Sequence, residues 1–441
     1  LKKLDGIFWK LHNAIKRKFN CEERMNAEVI IVNISHLVTL AYNNTPHYGK
    51  EMEESAIITD AGIAVKGGNI IEINDSKAIR DKYLAPEIID AEGKIGTPGF
   101  VDCHTHPVFI HTREDEFALR LQGKSYVEIS RAGGGILKTI QTTRNADEDL
   151  LLELAKKRIL KMMQLGTTTL EAKSGYGLNT PSELKQLRVI KRLQEELPID
   201  IVPTFLGAHE FPAEYRNNHS GYVELLCKEM IPAIAEQGIA EFCDIFTEAH
   251  TFNLEDSRKI LSCAREYGLK LKMHCDEIEP LGGAELAAEM KCVSADHLGS
   301  ASERGIEALK KAGVIPVLLP ATLFSLQSKT YANARLMMDM GLPVAIATDF
   351  NPGSCNCDSM QFTMSLACLQ MGLTPPASLC AATLNAAYAL DRGEQIGSLE
   401  AGKKADIILW DIPGINFIPY HLGSSYVDRV LKCGKTIYKA N

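Results

Sequence analysis

Two histidines spaced two apart, His104 and His106 in the stretch TPGFVDCHTHP, are the residues of this chain best suited to chemistry. They follow a short apolar run, residues 99–103, and on an extended strand that spacing puts both imidazoles on one face. Two converging imidazoles suit a divalent metal. A bare HxH pair also occurs as hydrogen-bonded strand-end histidines, so the other ligands must come from elsewhere. Candidates stand at the ends of later β-rich runs: His209 in GAHE, His274 in HCDE, His297 in SADH and Asp349 in TDFNPGS. We expect His104, His106, His274 and Asp349 to hold the ion, with His297 near enough to hydrogen-bond its water. Three imidazoles and one carboxylate fit Zn or Fe(II). An ion so held lowers the pKa of water towards ~7 and polarises a carbonyl, which is hydrolytic chemistry.

The elements that must carry these residues alternate. β-rich runs lie at 100–103, 167–173, 199–206, 242–247, 269–275, 292–297, 314–319 and 343–348. Amphipathic helical patterns separate them, at 147–165, 181–196, 222–237, 254–267, 283–290, 301–312 and 331–340. Eight such alternations over about 250 residues predict an α/β fold, a (β/α)8 TIM-like barrel with its active site at the C-terminal strand ends. Short strands precede it at 29–34, 61–66, 69–73, 88–91 and 94–96, with a Gly67-Gly68 hairpin. A helix at 376–390 and further strands at 397–399, 405–410 and 427–438 follow it. We therefore expect a small β-sandwich domain built from both chain ends, residues 25–97 and 395–441, around a barrel at 98–394.

Composition excludes several classes. With 441 residues, 45% hydrophobic and 24% charged, the chain reads as a globular enzyme. A net charge of −8 offers no attraction to nucleic acid or an anionic membrane, and no apolar run reaches the 18 or so residues of a membrane span. The 12 cysteines are scattered without a disulfide framework, which suits the cytoplasm. Cys355-x-Cys357 lacks a partner pair and reads as plain thiols. Residues 1–24 are basic, with Leu4, Ile7, Phe8, Leu11, Ile15 and Phe19 at helical spacing. We read them as a non-native extension or a disordered segment ahead of Met25.

TPGFVDCHTH, with histidines on strands five and six and an aspartate on strand eight, resembles the amidohydrolase superfamily, as does the terminal GSLEAGKKADIILWD. Its two-metal members carry a carboxylated lysine on strand four. Here FCDIFTE has none, so the resemblance implies one Zn2+ or Fe ion per chain. Longer segments, LQGKSYVEISRAGGGI, GTTTLEAKSGYGL, SELKQLRVIKRL, TFLGAHEFPAEY, HCDEIEPLGGAELA, SADHL and ATDFNPGS, are similar to members that hydrolyse the cyclic amide of an imidazolone bearing a propionate tail. That likeness runs over residues 25–438. It implies a substrate pocket of Arg113, Tyr126, Tyr176, His209, Glu277, Asn351, Gly353 and Ser354. Arg113 would grip the carboxylate, Glu277 would exchange a proton with a ring nitrogen, and His297 or Asp349 would help deprotonate water. A small-molecule substrate and a homodimer are further implications.

The sequence departs from the superfamily pattern at His250, where many members have Gly, and at Ile110-His111, where a Gly pair is common. His111 and His250 are expected to be non-ligands. Gly133-Gly134-Gly135 is followed by no GK[ST] and reads as a lid or turn rather than a phosphate loop. Two rivals are a purine or pyrimidine aminohydrolase, which His274-x-x-Glu277 would also suit, and a non-catalytic binding member, which would be expected to lose metal ligands.

Overall fold

Every residue of the run Thr167–Lys173 is buried. A strand covered on both faces belongs in a parallel sheet sheathed by helices. The computed structural model, which describes residues 24–42, 45–124 and 134–441, places it there. The barrel strands in chain order are Phe100–Asp102, Thr167–Lys173, Asp200–Ala208, Phe242–Thr247, Lys270–Cys275, Ser294–His297, Ile315–Leu318 and Ala345–Ile346. Each pairs in parallel with its sequence neighbour. The first and last strands meet beyond their ends, where Thr105 bridges Phe350. There His106 N donates to Phe350 O at 2.8 Å and Asp349 N to His104 O at 3.1 Å. Closure therefore joins the segment of His104 and His106 directly to that of Asp349.

All eight strands fall within two residues of their sequence-predicted bounds. Helix starts follow from their caps. Asp147, Asn179, Asn253 and Ser302 each accept a backbone N–H in the first turn of the helix they precede. The helical run expected at 222–237 is interrupted by a π turn, Leu226–Met230, before Ile231–Gln237. Pro232 there has no N–H to close an ordinary turn. The helix expected at 376–390 is split into Pro375–Ala381 and Leu384–Tyr388. Asn385 is drawn inward, its amide donating to His47 O and Val344 O, both at 3.0 Å. Met360–Met371 is buried almost all round, so it lacks the amphipathic period that would have marked it.

Both chain ends build the second sheet. Its order is Lys435–Lys439, Val427–Lys432, Ile407–Trp410, Ile95–Pro98, Val29–Val38, Ile57–Lys66 and Asn69–Asp75, with Glu87–Asp90 beside Val29–Val38. The two ends meet where Ile407 faces Pro98 and Trp410 faces Ile95 in antiparallel register. The stretch 397–399, expected as a strand, instead makes one backbone bond, Leu399 N to Thr39 O at 2.8 Å. Trp410 ties this sheet to the barrel through its ring, which meets Phe100 edge-on, while its indole donates within the sheet to Thr97 Oγ1 at 2.8 Å. The expectations placed on residues 1–23 and on Tyr126 lie outside the described residues.

Gly166 enters the second barrel strand at φ +107°, and a Cβ there would sit 2.7 Å from Ile408 Cδ1 and 3.0 Å from Phe100 Cδ2. Gly166→Ala is expected to cost about 2–4 kcal/mol through strain and overlap, read as a lower urea midpoint. An unchanged midpoint would contradict this account of the barrel–sheet seam.

Candidate metal and substrate site

The strand ends bring the predicted ligands to one point. His104 Nε2 and His106 Nε2 lie 3.3 Å apart. Asp349 Oδ1 is 3.6 Å from the first and 3.5 Å from the second. Atoms bound to one metal at ordinary distances and tetrahedral angles stand about 3.3–3.6 Å apart, so this triangle already has the edge length an ion requires. His274 joins from the fifth strand, its ring centroid 4.3 Å from that of His104. His104, His274 and His297 also place ring nitrogens within 4.8 Å of one another. Burial, with Lys173 close by, holds the His104 pKa well below the usual value, so its imidazole is neutral. His104 Nδ1 lies 2.6 Å from Asp296 Oδ2, which sets the tautomer and leaves the Nε2 lone pair for the cluster. The donor set fits a divalent metal held by His104, His106, His274 and Asp349.

A cavity of about 610 Å³ opens over these atoms. Arg113, Tyr176, His209, Glu277, Asn351 and Ser354 all line it, and His297 shares it. His209 stacks on His106 with ring centroids 5.2 Å apart and is anchored by Nδ1 on Gly175 O at 3.0 Å. Gly353 touches the pocket through Arg113: a Cβ there would fall 1.3 Å from Arg113 Nη2, so only glycine leaves the guanidinium its place. Asn351 is spent on its own loop. Its Oδ1 accepts from Gly353 N and Ser354 N at 2.8 Å, and its Nδ2 donates to Asp349 O and Ser354 Oγ at 2.8 Å. Glu277 Oε2 lies 3.5 Å from His297 Nδ1. Burial pushes Glu277 up to about 7, with His274 opposing and Glu248 reinforcing the shift. Burial likewise pulls His297 down to about 3. His111 and His250 are exposed and, among the described residues, enter no metal-binding group, although His250 lines the cavity. Cys355 and Cys357 are free thiols whose Sγ atoms face Thr348 O and Ser359 O.

The amidohydrolase family pattern matches residues 95–437. An imidazolonepropionase of Alkaliphilus oremlandii (strain OhILAs) is 48% identical over 415 residues, covering 94% of this chain and 98% of that protein. One from Geobacillus sp. (strain WCH70) is 48% identical over 417 residues, covering 93% and 98%. The chain belongs to the amidohydrolase family, in its imidazolonepropionase branch. Among solved structures, an adenosine deaminase from Xanthomonas campestris with bound zinc superposes at a TM-score of 0.69 with 18% identity, covering 94% of this chain and 93% of that one. E. coli guanine deaminase gives 0.71 at 16% identity, covering 93% and 100%. At such identities these two show a shared fold alone.

This amidohydrolase rests His104 and His274 on a buried charge network that sequence reasoning missed. Lys173, Lys272, Glu171, Asp244 and Asp296 are all fully buried. Lys173 Nζ lies 2.6 Å from Asp244 Oδ2, 2.8 Å from Glu171 Oε2 and 3.8 Å from Asp296 Oδ2. Lys272 Nζ lies 3.1 Å from Glu171 Oε1 and donates to Cys103 O at 2.9 Å. Asp296 and Asp244 in turn face the Nδ1 atoms of His104 and His274, at 2.6 and 2.9 Å. Thr322 Oγ1 donates to Asp349 Oδ2 at 2.6 Å and so turns Oδ1 towards the histidines. The signal was present as charges at alternate positions of otherwise apolar strands, Glu171 and Lys173, Asp244, Lys272, and Asp296.

Loops are pinned in the same manner. Glu183 accepts from Gly175 N, Gly177 N and Leu178 N, wrapping the loop that carries Tyr176. Gln186 links Tyr176 N to Val108 O. Arg158 donates to Pro107 O, Phe109 O and Ile110 O, just after His104 and His106, and lies over the Phe109 ring at 3.5 Å.

Asp296→Asn is expected to weaken zinc binding about 10–100-fold, because such second-layer partners orient the ligand and raise its basicity. Chelator competition followed by zinc-sensitive dye measures it, with circular dichroism to confirm folding. Wild-type affinity in a folded variant would show that Asp296 is only packing.

Proposed function

We propose that this chain hydrolyses 4-imidazolone-5-propanoate to N-formimidoyl-L-glutamate, the ring-opening step of histidine degradation, with one Zn2+ or Fe ion. The observation that carries the reading is that one cavity is lined by His106, His274 and Asp349 of the donor set and by Arg113. The substrate offers the complementary pair, a ring carbonyl and a propionate. Near-full-length likeness to imidazolonepropionases supports it. A divalent ion on His104, His106, His274 and Asp349 supplies an acidified water and carbonyl polarisation.

The remaining work falls to side chains. Arg113 grips the propionate, which fixes the ring over the histidines. Tyr176, His209 and Ser354 bound the ring and tail, and Asn351 and Gly353 shape the loop beneath. His297 takes the proton of the attacking water: it is neutral well below pH 7, whereas both Asp349 oxygens are committed, one to the ligand triangle and one to Thr322. Glu277, protonated below about pH 7, delivers a proton to the leaving ring nitrogen. Within this reading the chain divides at 25–97, 98–394 and 395–441, the outer two forming one β domain, and works as a cytoplasmic homodimer on a small molecule. Among the described residues no helix is long and apolar enough to cross a membrane.

Loss of imidazolonepropanoate absorbance with one metal per chain is the expected assay result. Ammonia release from guanine or cytosine, with no imidazolone turnover, would move the assignment to an aminohydrolase. Raising pH through about 7 strips Glu277 of the proton it donates, so kcat/KM should fall on the alkaline side and show no acid limb from His297 above about pH 4. Glu277→Gln should lower turnover about 10²–10⁴-fold at unchanged metal content. Near-wild-type turnover of that variant would remove Glu277 from the proton path.

A further inference from the structure

Arg113 does not stand alone in the pocket. It caps the helix Glu114–Leu121, and Arg120 lies seven residues on, two turns along the same face. Both guanidiniums converge on one glycine. Arg113 Nη2 occupies the space where a Gly353 Cβ would be, and Arg120 Nη1 and Nη2 each lie 3.3 Å from Gly353 O. Both arginines line the cavity. The acidic group set against them is Glu116, whose Oε2 is 3.5 Å from Arg113 Nε and whose Oε1 is taken by Gly135 N at 2.8 Å. Among the described residues, two guanidiniums and one carboxylate sum to +1 in a partly buried wall.

Like charges held together in that way raise each other's energy, and a bound anion relieves it. The Arg120 guanidinium is in fact held below the usual arginine range, by burial first and by Arg113 second. A guanidinium offers five N–H groups, and among the described residues the partner of the Arg120 guanidinium is Gly353 O, met by Nη1 and Nη2.

We propose that Arg120 is the second cation of a two-arginine clamp, closed across Gly353, that makes a fully ionised carboxylate tail a condition of tight binding. Arg113 meets the tail directly, and Arg120 supplies the second charge and fixes the carbonyl that aligns the pair. The inference rests on the proposed function for the identity of the tail. Uncharged purines or pyrimidines would leave both cations unanswered, which is how the clamp selects among heterocycles that a metal-activated water could attack.

The test compares the zinc-loaded wild type with Arg120→Gln and Arg120→Lys, using 3-(imidazol-4-yl)propanoate and its primary amide as calorimetric ligands. The clamp predicts that Arg120→Gln loses about 10–100-fold in affinity for the carboxylate and nearly nothing for the amide, with Arg120→Lys in between. In turnover, KM should rise by a similar factor while kcat changes less than about threefold. If Arg120 merely props the Gly353 loop, both ligands weaken together and kcat falls with KM, which overturns the proposal. Failure of the functional reading looks different: wild-type protein would not turn over imidazolonepropanoate, whereas the preference for carboxylate over amide, and its loss in Arg120→Gln, would persist.

Discussion

The ammonium of Lys173, buried between Glu171, Asp244 and Asp296, is the interaction on which the rest of the site depends. Burial works against that charge, and the three carboxylates more than reverse the effect, so the lysine pKa lies above its ordinary value. With Lys272 the network holds two cations and three anions, a net charge of −1 within the barrel. Removing the Lys173 ammonium from such a set would leave buried carboxylates uncompensated, a loss of about 3–5 kcal/mol. The surplus negative charge lies beneath the neutral His104 imidazole, which favours a cation above it. The same carboxylates orient His104 and His274, so charge balance and ligand geometry come from one set of residues.

Backbone geometry at the strand ends is subordinate to this point. Asp276, His297, Leu298 and Asp349 all have positive φ, a conformation that non-glycine residues avoid at a cost of about 1–3 kcal/mol each. The surrounding bonds hold them there. Asp276 accepts from Leu281 N, Gly283 N and Ala284 N, and Glu248 accepts from Ile278 N, which together anchor the segment that presents Glu277. Asp349 is held through Thr322, through its backbone bond to His104 O and through the Asn351-centred loop. The backbone strain at these four positions is thus offset by hydrogen bonds one layer out.

Much of this was legible along the chain. Strands of a barrel are short, buried and regularly spaced, so their positions emerge from hydrophobic runs and caps alone. The candidate ligands stand at strand ends, where a polar residue has no role in packing, and His104, His106, His274 and Asp349 stood out for that reason. Helices escaped where burial erased the period, as in Met360–Met371, or where a tertiary bond broke it, as Asn385 does between Pro375–Ala381 and Leu384–Tyr388. Arg120 escaped because a lone arginine on a surface-facing helix has no local mark of function; its meaning comes from Gly353, 233 residues away.

The sequence by itself determined which chemistry is possible: residue type and strand periodicity place imidazoles and a carboxylate on one rim, and local pattern suffices because a strand's faces alternate strictly. Only the tertiary structure decided how that chemistry is held. Which carboxylate meets which imidazole, which oxygen of Asp349 turns inward, and that Arg113 and Arg120 share one glycine all depend on distances between residues far apart in the chain. Those distances exist only once eight strands close into a barrel, because closure is what brings Asp349 beside His104.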